Sequence, residues 1–195
     1  MSTAAKNLDT IEDLLALPSD VRADLIGEHI EQRAHPSAEH ERSIDALVSR
    51  LYQSFNRPSR PSGTGGWWIL TSTLIRFPDG RALCPDLAGW RRNRVPEKPM
   101  GFPVTSLPDW VCEVSLSTRK KDSTHVPALL HAHHVPWYWR LDVEDETLFV
   151  YEYSEKGYIQ AKCLVRDDGK VRIPPFDAVE LSMPVLFGED PEEDE

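Results

Sequence analysis

The chain has 195 residues, 40% of them apolar, and a net charge of −10, enough to form one domain with a buried core. No apolar run approaches the ~20 residues that cross a bilayer, and residues 1–8 lack the basic-then-apolar order of a secretory signal. Cys84, Cys112 and Cys163 are odd in number and widely spaced, which excludes a zinc finger and a disulfide framework. The expectation is a soluble, cytoplasmic protein with a single domain over residues 1–187 and a disordered acidic tail over 188–195. Without the tail's six acidic residues, 26 acidic side chains oppose 22 basic ones. That mild acidity weighs against tight non-specific nucleic-acid binding, which runs on phosphate neutralisation. A nuclease remains compatible, because metal-binding carboxylates add negative charge of their own.

In chain order, Thr10 with Asp13 three residues on reads as a capping box opening a helix that ends near Leu17-Pro18. Residues 24–32 read as a short strand or hairpin around Gly27. Pro36-Ser37 starts the clearest helix, Ala38–Phe55, with Ile44, Leu47, Val48, Leu51 and Phe55 along one face. Residues 56–66 are loop. Residues 67–77 form a strand, Pro78-Asp79-Gly80 a turn, and residues 82–90 a second strand. A polar loop follows, then a strand over residues 109–116. Residues 123–134 predict a helix that Pro127 confines or kinks. Residues 137–143, 147–153, 158–165 and 170–173 predict short strands with turns at Asp145 and Gly157. The order implies an α/β or α+β sandwich around a mixed sheet.

Two carboxylates stand in otherwise apolar strand segments, Asp86 in Cys84-Pro85-Asp86 and Glu113 in Cys112-Glu113-Val114-Ser115. Burying such a charge is costly unless it is paired. Alternation puts Val111, Glu113 and Ser115 on one face of their strand, and Cys84, Asp86 and Ala88 on one face of theirs. On neighbouring strands, Asp86 and Glu113 converge on one cation. Hard oxygen donors with few His or Cys nearby point to Mg²⁺ or Mn²⁺ rather than zinc. Glu28 is a candidate third carboxylate. The plainer alternative is a strand-edge turn at Asp86 and an Arg or Lys partner for Glu113.

Other clusters carry two readings each. His131 and His134 are three apart on a helix and permit joint zinc ligation with His125 and His133 nearby, or all four are surface and loop histidines. Trp67-Trp68 and Trp137-Tyr138-Trp139 stack on unpaired bases or pack the sheet. Arg91-Arg92-Asn93-Arg94 and Arg119-Lys120-Lys121 follow the two acidic strands and either grip phosphates or are loop charges. Gly63-Thr64-Gly65-Gly66 lacks the lysine of a phosphate loop, and neither Ser115 nor Ser117 has a nucleophile-elbow context.

Five pieces in order carry a resemblance. They are Asp24-Leu25-Ile26-Gly27-Glu28; Pro36-Ser37 with His40; Pro85-Asp86-Leu87-Ala88; Glu113-Val114-Ser115 through Asp122; and residues 135–139 with Leu141-Asp142. Together they resemble the Uma-type family of restriction-endonuclease-like proteins, a branch of the PD-(D/E)XK nuclease superfamily. The resemblance implies a restriction-endonuclease-like core, a mixed sheet flanked by helices. It implies metal ligands at Asp86, Glu113 and Val114, a further acidic site residue at Glu28, a secondary site residue at His40, a core tryptophan at Trp139, and a homodimer. The superfamily lysine falls at Ser115, and the Uma-type alternative, four residues after Asp122, falls at Val126. Lys120, Lys121 and His125 are the nearby substitutes, with Lys120 and Lys121 the candidate catalytic bases. Two segments, at Gly27-Glu28 and before Asp122, are one residue short of the family pattern. The implied activity is a metal-dependent DNA endonuclease weakened by loss of the lysine. The alternatives are an inactive nuclease-fold protein that binds nucleic acid or protein, and an interaction domain that dimerises through its aromatic strands.

Overall fold

A computed structural model describes residues 8–115 and 122–190. Helix α1 (Ile11–Leu15) begins as expected: Thr10 Oγ1 accepts from Asp13 N at 3.2 Å, and Asp13 returns the bond to Thr10 N at 2.8 Å. Strands β1 (Ala23–Asp24) and β2 (Glu31–Gln32) then form an antiparallel hairpin. At its open end Arg33 N donates to Arg22 O at 2.9 Å, so the two arginines emerge side by side. Helix α2 (Ala38–Phe55) is capped by Ser37 and buries His40, Ser43, Ile44, Leu47, Leu51 and Phe55 along one stripe.

The central sheet contains β3 (Trp67–Thr71), β6 (Leu87–Arg91), β7 (Trp110–Ser115), β8 (Trp137–Asp142), β9 (Thr147–Ser154) and β10 (Gly157–Val165), in the order β10-β9-β8-β7-β6-β3. Between β3 and β6 the chain leaves the sheet to form a ribbon of β4 (Ile75–Arg76) and β5 (Ala82–Leu83). The expected single strand over residues 67–77 is therefore two, broken after Thr71 where Ser72 takes φ 45°. The expected strand over residues 82–90 breaks at Cys84-Pro85-Asp86, where Pro85 has no N–H for a ladder. That break leaves Asp86 at the mouth of β6.

All pairings in the central sheet are antiparallel except β7 with β8. That parallel pair is joined through α3 (Asp122–Ala132), which accommodates Pro127 inside the helix. Helix α2 covers one face, burying Leu47, Leu51 and Phe55 against Trp110, Cys112, Val114, Trp139 and Phe176. Helix α3 covers the other, with Val126, Leu129 and Leu130 against Ala88, Trp90, Val111 and Tyr138. Both faces of β7 are consequently buried, which explains its near-continuous apolar sequence. Gly89 is required by this packing: a Cβ there would lie 3.1 Å from Trp110 and 3.2 Å from Trp67 ring carbons. Three elements close the chain, β11 (Lys170–Arg172), β12 (Glu180–Ser182) and α4 (Met183–Leu186). The last two were not expected. Helix α4 docks on α2, where Ser43 donates to Leu186 O at 2.8 Å.

Candidate functional site

The hairpin is tied to the ribbon by reciprocal bonds between Leu25 and Ala82, at 2.8 and 2.9 Å. This places Arg22, Asp24 and Arg33 against the Cys84-Pro85-Asp86 break. Asp86 and Glu113 come from the adjacent strands β6 and β7 and are 2% and 7% exposed; Asp24 and His40 are each 8% exposed. Asp24 accepts from Cys84 N at 2.7 Å and lies 3.6 Å from Arg33 Nε. Arg33 hydrogen-bonds both Glu113 Oε2 and the Cys84 carbonyl. Asp86 receives Arg22 Nη2 at 3.1 Å, Val114 N at 2.9 Å and His40 Nε2 at 3.4 Å.

Two neighbouring carboxylates in one buried cluster are pushed in opposite directions. Burial works to raise Asp86, but the His40 hydrogen bond, the Arg33 charge and the Val114 N–H hold it at about 2. Burial also raises Glu113, opposed by Arg33 and reinforced by the charges of Asp86 and Asp24, and here it wins, to about 8. Asp24 is raised by burial, with Arg33 pulling the other way. Carboxyl pairs separated in this way are a mark of acid–base and metal sites, although structural ion pairs produce them too.

A hard divalent cation suits the oxygen donors. Glu113 Oε1 is sealed from solvent with no hydrogen-bond partner among the described residues, and a metal–oxygen bond would satisfy it. Val114 can offer a cation only its backbone carbonyl, since its N–H is committed to Asp86. Among the described residues no three His, Cys, Asp or Glu side chains group as a metal site. The neutralising charges present are guanidinium groups.

Of the residues singled out in the sequence, Asp86, Glu113, Val114 and His40 come together. Glu28 lies exposed on the bend between β1 and β2, and the acid that the hairpin delivers to the cluster is Asp24. Lys120 and Lys121 lie outside the described residues, as do Ser117 and Arg119. His125 is exposed on α3, and Val126 is buried in the core. Arg22 and Arg33 were missed. Their signal was faint: two arginines flank a short hairpin, so its closure brings them together.

The remaining clusters resolve into structure. His131 and His134 both lie against the Tyr153 ring, and His131 Nε2 bonds Ser154 O at 2.8 Å, while His133 turns away to bond Asp79 Oδ2 at 2.9 Å. Arg94 is bidentate on Asp109, at 2.8 and 2.9 Å. Arg91 and Arg92 stack over Trp67 and Trp68. Trp110 and Trp139 are fully buried and edge-on at 5.3 Å.

A mixed sheet between helices, with paired carboxylates at the mouth of adjacent strands, is the arrangement of a nuclease fold. The chain belongs to the Uma2 family, described as "putative restriction endonuclease", which it matches over residues 11–185. A solved structure of a "putative nuclease" belonging to DUF820 from Anabaena variabilis has the same fold. Its TM-score is 0.73 at 20% identity, over 92% of this chain and 97% of that one. No curated protein matches the chain significantly.

Proposed function

We propose that the chain is a divalent-cation-dependent nuclease that hydrolyses phosphodiester bonds in DNA, with Asp86 and Glu113 holding Mg²⁺ or Mn²⁺. The observation that carries this reading is the buried carboxylate pair on adjacent strands, with Glu113 Oε1 left without a partner among the described residues. Restriction-endonuclease-like families generally use divalent metals. When bound, such an ion neutralises phosphate charge and activates a water. The chain's own residues orient the ligands. His40 and the Val114 N–H hold Asp86, Arg33 holds Glu113, and Asp24 braces Arg33 while anchoring the Cys84 backbone.

The test is cleavage of supercoiled plasmid and of single-stranded DNA with Mg²⁺ or Mn²⁺, wild type beside Asp86→Ala, with calorimetric titration of Mn²⁺. Cleavage and cation binding are both expected, and both vanish in the variant. Absence of both in the wild type sinks the proposal.

A second reading, a catalytically inactive nuclease fold kept for binding, draws on two observations: Arg33 already neutralises Glu113, and Ser115 stands where the superfamily has lysine. Cation binding without cleavage of either DNA would favour it. The proposed setting is a homodimer in the cytoplasm. Among the described residues no helix is long and apolar enough to cross a membrane, and Ile159 on the edge strand β10 is 60% exposed, a surface a second copy can cover. A monomer in sedimentation at micromolar concentration would remove the dimer.

A further inference from the structure

Glu113 has a cationic neighbour that the ion-pair cluster does not use. In the parallel β7–β8 ladder Glu113 lies opposite Arg140, so both side chains project from the same, α3-covered face of the sheet. Arg140 makes no ion pair among the described residues. Its guanidinium carbon lies 4.6 Å from the centroid of the Phe149 ring, and its Nε is sealed from solvent with no hydrogen-bond partner among the described residues. A buried guanidinium N–H left unpaired costs free energy unless a ligand satisfies it.

Arg140 also lines a cavity of about 180 Å³ with Pro127, Tyr138, Tyr151 and Tyr158. Tyr158 gives its hydroxyl to Val135 O at 2.7 Å. The rings of Tyr138 and Tyr151 stack at 5.7 Å and line the same cavity. A guanidinium with an unmet N–H and two phenols able to donate line one small cavity, a donor set that suits an oxyanion. The Phe149 ring fixes the guanidinium plane at little cost in side-chain freedom.

We propose that Arg140, with Tyr138 and Tyr151, forms a phosphate-binding subsite beside Glu113, and that it takes a backbone phosphate of the DNA strand neighbouring the one cleaved. The inference rests on the DNA part of the function proposed above. Arg140 would thereby supply, from the adjacent strand, positive charge that Ser115 does not.

The experiment is read in EDTA, where cleavage plays no part. Binding of a short fluorescein-labelled duplex is followed by anisotropy across a KCl series for wild type, Arg140→Gln and Arg140→Lys. In parallel, inorganic phosphate is titrated by calorimetry. Arg140→Gln is expected to weaken duplex binding about tenfold and to lower the log–log salt slope by about one, while Arg140→Lys keeps the slope. Unchanged affinity and slope in a folded Arg140→Gln protein would overturn the proposal. Loss of inorganic phosphate binding with unchanged duplex binding would assign the cavity to a free phosphate and overturn its place on the DNA. If Arg140→Gln does not fold, Tyr138→Phe is read in the same way: weaker duplex binding supports the subsite, and no change overturns it. DNA held through Arg140 without cleavage in Mg²⁺ would end the hydrolytic reading and leave this one standing.

Discussion

Arg33 and Glu113, 80 positions apart, form a part-buried ion pair in which one guanidinium also holds the Cys84 carbonyl. The contact locks the N-terminal hairpin onto the strand break that carries Asp86. It also places a fixed cation on a carboxylate that a metal ion would use, so hairpin docking and cation binding meet at one atom group.

Replacing Arg33 by Met removes that fixed charge. The Glu113 carboxyl, which burial raises to about 8 even against Arg33, then stays protonated at neutral pH and leaves no unpaired buried charge. This keeps the loss of stability near about 2 kcal/mol, below the 3–5 typical of broken buried pairs. Thermal unfolding should show the drop, and Mn²⁺ should restore more stability to the variant than to the wild type.

Asp24→Asn and Glu28→Gln separate two acids of the hairpin region. Asp24 braces Arg33 within the cluster and Glu28 lies on the exposed bend. Calorimetric titration with Mn²⁺ should show weaker binding in Asp24→Asn and wild-type binding in Glu28→Gln. The reverse order would return Glu28 to the site.

Asp109 is 5% exposed and takes both bonds of the Arg94 fork as well as Arg91 N at 2.7 Å. Arg94→Ala leaves it buried with part of its charge unmet, at a cost of about 2 kcal/mol. Duplex affinity at fixed salt should not change. A lower affinity would show that this arginine contacts phosphate and is more than a brace for the loop.

Asp79 supplies a pH signature away from the cluster. Burial works to raise it, but hydrogen bonds from Arg81, at 2.7 Å, and His133 bring it down to about 2, against 3.8 in an unfolded chain. The unfolded state therefore binds more protons between these values. The stabilisation is complete above pH ~4 and disappears as pH falls towards ~2. Because the group is partly exposed, the effect is below about 1 kcal/mol. Urea unfolding of wild type and Asp79→Asn should differ at pH 5, and the gap should narrow at pH 3.

Ser43→Ala tests the docking of α4. The Ser43 hydroxyl is buried and reaches Leu186 O, so its removal leaves a carbonyl unmet and costs about 1 kcal/mol. Faster proteolysis near the C-terminus, with the remaining fragment intact, is the expected readout.

Local chemistry made much of this protein legible in its sequence. The α2 stripe from Ile44 to Phe55 follows helical spacing, and Thr10 with Asp13 closes a capping box that depends on residues three apart. Asp86 and Glu113 stood out because a carboxylate in an apolar strand must find a partner. The identity of that partner was not legible. Asp24 belongs to a strand of two residues, too short to show a period, Arg22 and Arg33 flank the hairpin it forms, and all three reach Asp86 and Glu113 only after the hairpin bonds to β5. The break at Ser72 and the C-terminal β12–α4 segment escaped for the same reason. Periodicity reports which face of an element is buried. Which charge meets which across 64 or 80 positions is decided only when the sheet closes, because desolvation makes pairing obligatory and leaves the choice of partner to the geometry of the fold.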